Sequence, residues 1–315
     1  MFRKERYMNI THLKYAVEVD KTGSISRAAD NLYMSQPNLS KAVKELENTL
    51  GFQIFKRTSK GISTTKKGAE FLEYARNILA QMETIEQMYC ADNTNKLSFS
   101  ISVPRASYIA DAFTKFVNSC DTSKEIDFSF SETNSMTAID HIIDGDFNLG
   151  IIRCQEEHEN YFCSLLDDKN MKYETLLNFE YKCIFSKKHK LAEKEVVREE
   201  DFVDSIELYH GDITVPFIPQ SKQRENQGER YKKRIYLFER GSQFDLLRNC
   251  PSTYMWVSPV SDAILEANGL VQKSIEGNIG RYTDMLIYSK DYKLTDLDKK
   301  FLEILREIIK KVEAD

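Results

Sequence analysis

The sequence predicts a multidomain α/β protein: an N-terminal winged helix-turn-helix, a long linker helix, and a C-terminal region of alternating strands and helices. Three observations predict it. Three short helical patterns precede a basic hairpin within the first 65 residues. An apolar heptad then runs for nearly three repeats. From Lys96 onward, strand-like and helix-like segments alternate.

The first helix is expected over residues 9–21, where Ile10, Leu13, Ala16 and Val17 fall at helical spacing, Asn9 or Thr11 caps the start and Lys21-Thr22-Gly23 ends it. Ser24 is a good cap for a second, short helix. Its Ile25, Ala28, Ala29 and Leu32 share one face, and the two alanines permit a close helix crossing. Ser35 can cap a third helix, with Pro37 tolerated in a first turn whose N–H groups lack intrahelical partners. Leu39, Val43, Leu46 and Leu50 form its buried stripe, and Gly51 stops it. Gln36, Pro37, Ser40, Lys41 and Lys44 are left facing outward. Phe52–Arg57 alternates like a strand, Thr58-Ser59-Lys60-Gly61 turns, and Ile62-Ser63-Thr64 returns, giving a hairpin with a basic tip.

Thr64 or Thr65 caps a helix expected to run to about Asn93. Phe71, Ala75, Ile78, Met82, Ile85 and Tyr89 step by alternating fours and threes, the seam of a helix that pairs with another; packing on its own domain is the alternative. Beyond Lys96, strands are expected at 97–103, 126–131, 147–153, 179–186, 254–258 and 285–289. Helices are expected at 107–117, 135–144, 242–249, 261–267 and 296–311. This alternation predicts α/β layers with largely parallel sheets. The polar stretch 218–232 is expected to be a mobile loop.

The chain has 315 residues, enough for two or three domains. Its composition, 41% hydrophobic and 30% charged, is ordinary for a soluble globular protein. No apolar run approaches the ~20 residues of a membrane span. The charged start, Met1 to Tyr7, is no secretory signal, so the expected location is the cytoplasm and no membrane partner is expected. Six cysteines, at 90, 120, 154, 163, 183 and 250, show no C-x-x-C spacing and are expected to be reduced thiols; a redox-sensing pair stays open. Net charge is −5, yet residues 1–90 hold 14 Lys and Arg against 10 Asp and Glu, while the rest holds 30 against 39. A basic front and an acidic back is what results when only one module touches phosphate.

A helix whose first turn is free of bulky apolar residues can enter the major groove of double-stranded DNA. Ser35 and Gln36 stand at that first turn. Gln36 can bond an adenine edge bidentately, Pro37 can touch a thymine methyl, and Ser40 can bond bases or phosphate. Lys41, Lys44, Arg57 and Lys60 can neutralise phosphates, which sets affinity rather than sequence choice. Arg57 or Lys60 can also enter a narrow minor groove.

Residues 10–90 resemble the N-terminal region of LysR-type regulators. The matching text is Ser26-Arg27-Ala28-Ala29, Leu32, Ser35-Gln36-Pro37, Leu39-Ser40 and Leu46-Glu47. After Gly51 follow Ile54-Phe55-Lys56-Arg57, Lys60-Gly61, Thr64-Thr65 and Gly68. One departure is Thr65-Lys66-Lys67-Gly68, where the family usually carries Thr-x-Ala-Gly. The resemblance implies homodimers through the long helix, commonly assembled into tetramers. It also implies a periplasmic-binding-protein-like effector domain of two α/β lobes, with a small effector between them. The expected division is 8–66 for the DNA-binding domain, 67–94 for the linker and dimerisation helix, and 95–315 for the effector domain. Lobe I is expected at 96–166 and 267–315, lobe II at 167–266.

An effector is expected against helix N-termini and strand ends, where N–H groups and dipoles favour anions. The candidates are Ser102, Arg105 and Ser107 after the first strand, and Thr133, Asn134 and Ser135 after the second; each can equally be a plain helix cap. No cofactor and no metal are expected. The five histidines show no H-E-x-x-H spacing, and neither G-x-S-x-G nor G-x-x-x-x-G-K-[ST] occurs, so no catalytic residue is assigned. A transport solute-binding protein would lack residues 10–90 and carry an export signal. A winged-helix regulator with an unrelated C-terminal module remains an alternative, separable by whether the C-terminal fragment binds a metabolite.

Overall fold

Helix α1 (Ile10–Thr22) begins where the Asn9 side chain accepts the Thr11 N–H at 2.9 Å, and it ends at Gly23, whose φ of +61° suits a residue without Cβ. The structure, a computed structural model, describes residues 8–58, 61–89, 96–212, 233–276 and 280–313. The chain divides into two compact units near residue 95.

In the N-terminal unit, α2 (Ile25–Asn31) starts at Ser24, whose side chain accepts the Arg27 N–H. Ala28 and Ala29 are fully buried, so α2 crosses its neighbours closely. Helix α3 (Gln36–Leu50) buries Leu39, Ala42, Val43 and Leu46 and stops at Gly51, with φ +79°. Ser35 holds the N-cap position, but its side chain makes no capping bond, contrary to expectation. The hairpin strands β1 (Phe55–Thr58) and β2 (Gly61–Thr64) are shorter than the expected 52–57 run. The physical reason is Glu47. Its carboxylate accepts the N–H groups of Ile54 and Phe55 at 2.8 and 3.0 Å, so that segment is tied to α3 before the ladder begins.

Helix α4 (Lys66–Tyr89) is capped by Thr65, whose hydroxyl accepts the Gly68 N–H at 2.9 Å. The expected end near Asn93 lies outside the described residues. Asp20 on α1 accepts from both Thr64 and Arg76, joining hairpin, first helix and long helix through one carboxylate. The expected seam of α4 is divided. Ala75, together with Leu72, which carried no heptad role, is buried in the unit's own core, and Phe71 packs against it. Ile78 and Ile85 remain exposed beside Tyr74.

The C-terminal unit contains two five-stranded sheets. The first runs in the order β4-β3-β5-β14-β6, from β3 (Lys96–Val103), β4 (Glu125–Glu132), β5 (Leu149–Gln155), β6 (Met171–Glu180) and β14 (Arg281–Ser289). Strand β3 is parallel to β4 and β5, whereas β14 is antiparallel to β5 and β6. Helices α5 (Ser107–Asn118), α6 (Ser135–Asp144), α7 (Glu159–Asp168) and α10 (Asp296–Val312) accompany it. Phe99, Phe116, Phe128 and Phe301 interlock between sheet and helices, with Phe99 to Phe116 centroids 4.7 Å apart.

The second sheet runs in the order β10-β9-β11-β7-β12, from β7 (Lys182–Ser186), β9 (Ile206–His210), β10 (Arg234–Leu237), β11 (Thr253–Val257) and β12 (Leu270–Lys273). Short β8 (Val197–Arg198) and β13 (Ile275–Glu276) pair beside it. Strand β7 is covered on both faces: Cys183 and Phe185 enter one core, Ile184 the other, where α8 (Gln243–Asn249) and α9 (Asp262–Asn268) pack.

Both sheets are mixed rather than largely parallel, because each includes strands that run against its parallel set. The expected strand 179–186 is two strands broken at Tyr181, where the chain passes from one sheet to the other. It returns between β13 and β14. The sheets therefore exchange the chain later than the expected 166 and 267. Both limits fell short because β6 and β12 were not foreseen as strands.

Candidate functional site

Two sites follow from these elements. The first is the outer face of α3. Because Leu39, Ala42, Val43 and Leu46 point into the core at helical spacing, the opposite face of the helix points out. Ser35, Gln36, Pro37, Lys41 and Lys44 are exposed, and Ser40 is half-buried. The structure thus collects the predicted residues of α3 on one exposed surface. Arg57 belongs to β1 by backbone register, but its side chain and the whole of Lys60 lie outside the described residues. Sequence reasoning missed Tyr33. It is 97% exposed with φ +50°, in the turn that delivers α3. An aromatic residue between two helical patterns, with no place in either stripe, was the available signal.

The second site lies in the C-terminal unit where strand ends of the two sheets meet. Arg105, just after β3, donates to both carboxylate oxygens of Asp212, just after β9, at 2.9 and 2.8 Å, and to the Phe238 carbonyl at 3.2 Å. Arg240 donates to Glu132, at the end of β4, and to the Ser107 hydroxyl at 2.8 Å. Ser107 is the first residue of α5, so a helix N-terminus faces the same place. His210 ends β9 and is 8% exposed, and its Nδ1 has no hydrogen-bond partner among the described residues. Burial, reinforced by Arg105 and Arg240, pushes its imidazole pKa down to about 4.

Of the six expected effector residues, Arg105 and Ser107 stand in this group. Ser102 is fully buried and hydrogen-bonds His141 of α6 at 3.0 Å, because its strand position faces the helix layer. Ser135 accepts the Arg153 N–H at 2.9 Å and donates to its carbonyl at 2.7 Å. Asn134 caps α6 by accepting the Thr137 N–H at 3.0 Å, and the Thr133 N–H bonds the Val103 carbonyl. Glu132, His210, Asp212 and Arg240 went unrecognised, since no local spacing marks them.

Behind Ser107, the next residue turns inward. Tyr108 donates to Asp284 at 2.5 Å, and Arg153 forks onto the same carboxylate at 2.7 and 2.6 Å while lying over the Phe179 ring. This network fixes the first turn of α5 against β5 and β14.

Among the described residues, no group of His, Cys, Asp and Glu is placed to hold a metal ion. Burial pushes the Cys154 thiol up to about 12 and raises Cys163 and Cys183. These three are therefore poor thiolates at neutral pH. Among the described residues, no helix is long and apolar enough to cross a membrane.

Residues 10–69 match the profile of the bacterial regulatory helix-turn-helix protein, lysR family. The HTH-type transcriptional regulator BenM of Acinetobacter baylyi is 37% identical over 81 residues, which is 26% of this chain and 27% of that protein's length. Among solved structures, ArgP from Mycobacterium tuberculosis matches 96% of this chain and 98% of its own, with TM-score 0.61 and 12% identity. Full-length CbnR complexed with its target DNA matches 96% and 100%, with TM-score 0.54 and 18% identity. These structural likenesses speak for the fold. Residues 10–69 thus carry a helix-turn-helix that matches the lysR family of bacterial regulatory proteins, on a chain whose fold is that of these full-length solved structures.

Proposed function

We propose that the chain is a sequence-specific, DNA-binding transcription regulator of the LysR type, acting in the cytoplasm and not as an enzyme, and controlled by a small effector bound between the two C-terminal lobes. The observation that carries the reading is the outer face of α3. Gln36, Pro37, Lys41 and Lys44 are exposed, and among the described residues no side-chain hydrogen bond or ion pair holds Gln36, Lys41 or Lys44 to the fold. Base-reading and phosphate-neutralising groups are thus presented together on a helix. Relatives named as transcriptional regulators and the CbnR–DNA complex support the same reading.

The exposed Tyr74, Ile78 and Ile85 of α4 support pairing of two chains through that helix, as a dimer or within a tetramer. Two readers then meet an operator of dyad symmetry. The effector acts by population shift: closure of the lobes changes packing between subunits and so the spacing of the paired readers.

The test is Gln36→Ala on duplexes selected from random sequence by the wild-type protein. The variant is expected to lose about 1–3 kcal/mol of specific over non-specific binding. Equal loss on selected and unrelated duplexes would reduce Gln36 to a positioning contact. A wild-type protein indifferent to all duplexes at low salt would end the regulator reading.

A further inference from the structure

The place where strand ends of the two sheets of the C-terminal unit meet, the expected effector cleft, is bridged by its own ion pairs. Arg105, from the first sheet, grips Asp212 of the second with two parallel hydrogen bonds at 2.9 and 2.8 Å. Arg240, from the second, reaches back to Glu132 and Ser107 of the first. Both guanidiniums are largely buried, with side chains 9% and 17% exposed. A buried guanidinium requires a counter-charge. Here two acids of the chain supply it, Asp212 in the fork geometry a carboxylate ligand would adopt and Glu132 through one hydrogen bond.

Two further features point to a ligand. The Nδ1 of His210 is buried and without a partner among the described residues, and its ring lies within electrostatic reach of Arg105, Asp212 and Arg240. A buried polar atom of this kind is a donor or acceptor held ready. Phe238 is a large apolar side chain left exposed beside Arg105. Its ring lies so close to Gly211 that a Cβ there would meet it at 2.7 Å. The cleft thus offers two cations, a helix N-terminus, an unengaged imidazole nitrogen and an apolar ring.

We propose that the cleft recognises a small carboxylate, which displaces Asp212 or Glu132 from Arg105 and Arg240 and lies beside the His210 ring. The inference rests on the effector reading above and names the chemistry of that effector. The lobes are latched by internal carboxylates, and the ligand competes with them for the same donors. Its carbon skeleton lies against Phe238. A cationic ligand has no such place, because it would meet two guanidiniums once the acids were drawn away.

The experiment uses the full chain and simple probes: acetate, malonate and succinate, with putrescine as the cationic comparison, at constant ionic strength in chloride. Binding is read by calorimetry and by the shift in Tm. Glu132→Gln and Asp212→Asn, singly and together, leave volume almost unchanged and release the arginines. The released variants are expected to bind malonate or succinate about tenfold or more tightly than the wild type. Adding Arg105→Gln and Arg240→Gln should abolish that gain. Should the double variant fail to fold by circular dichroism, either single variant gives the same reading for its own arginine. Carboxylates that bind the released variants no better than the wild type would overturn the proposal. So would binding that survives loss of both arginines, or putrescine binding tighter than any carboxylate. Duplex binding measured in parallel separates the two readings. A chain that binds DNA but shows no carboxylate gain loses only this inference, whereas one that ignores DNA loses the regulator reading.

Discussion

The outer face of α3 and the cleft of the C-terminal unit treat their charges in opposite ways. On α3, Lys41 and Lys44 stand in solvent with no ion pair among the described residues. In the cleft, Arg105 and Arg240 are each held by a carboxylate from the other sheet. The difference follows from dielectric. A solvated lysine loses little by waiting for a phosphate, whereas a buried guanidinium without a partner is strongly destabilising. A reader of polyanions can therefore be left open. A small-molecule site must supply its own counter-charges until something replaces them.

The largest test of that contrast removes a buried charge. Asp284 is fully buried and holds both Arg153 and Tyr108. Asp284→Ala strands the Arg153 guanidinium and is expected to destabilise the C-terminal unit by about 3–5 kcal/mol, read by urea unfolding. A change below 1 kcal/mol would show that water reaches Arg153 readily, and the contrast in burial would be weaker than drawn.

Next comes packing inside the reader. A Cβ at Gly68, on the first turn of α4, would lie 2.2 Å from the Ile54 carbonyl oxygen, which is backbone and cannot rotate away. Gly68→Ala should cost about 1–3 kcal/mol in thermal unfolding. The loss should fall on the N-terminal unit, with duplex affinity reduced by partial unfolding and carboxylate binding in the cleft unchanged.

The cleft should also respond to acid. Burial, with Arg105 and Arg240 nearby and Asp212 opposing them, lowers the His210 pKa from 6.5 to about 4. Between those values the unfolded chain binds the proton and the folded chain does not. Stability is therefore full above pH 6.5 and falls as pH drops toward 4, by about 1.4 kcal/mol per pH unit for one group. His189, also buried and lowered to about 4, adds a second contribution. His210→Gln should remove about one proton from the measured slope, leaving that of His189. An unchanged slope would mean the His210 ring is hydrated.

The smallest effect belongs to the open face. Lys41→Ala should weaken binding on all duplexes alike and reduce the salt slope by about one unit. A slope that stays put would remove Lys41 from the interface.

The same contrast explains what the sequence could reveal. The helix-turn-helix was legible because each part is written within a few residues: Ser24 caps α2, Gly51 ends α3, and Leu39, Val43 and Leu46 repeat at helical spacing. The cleft was not, because Arg105 and Asp212 are 107 positions apart, and Arg240 and Glu132 are 108 apart. No periodicity links such pairs. Arg105 and Ser107 were found only because they sit where a strand gives way to a helix. The same rule selected Ser102, which faces His141 instead. Strands β9 and β10 escaped because each is short and draws its meaning from a partner more than 20 residues away. The stripe on α4 was legible but its partner was not, since periodicity identifies an apolar stripe and not which body covers it.

If the proposal holds, the Arg105–Asp212 and Arg240–Glu132 pairs also set a sensitivity threshold. If the ligand must first part them, its apparent affinity is its intrinsic affinity scaled by the fraction of molecules already parted. Each 1.4 kcal/mol taken from the pairs would lower the triggering concentration about tenfold without altering a single ligand contact. Related chains could thus answer the same metabolite over very different ranges simply by exchanging an acid for its amide at 132 or 212.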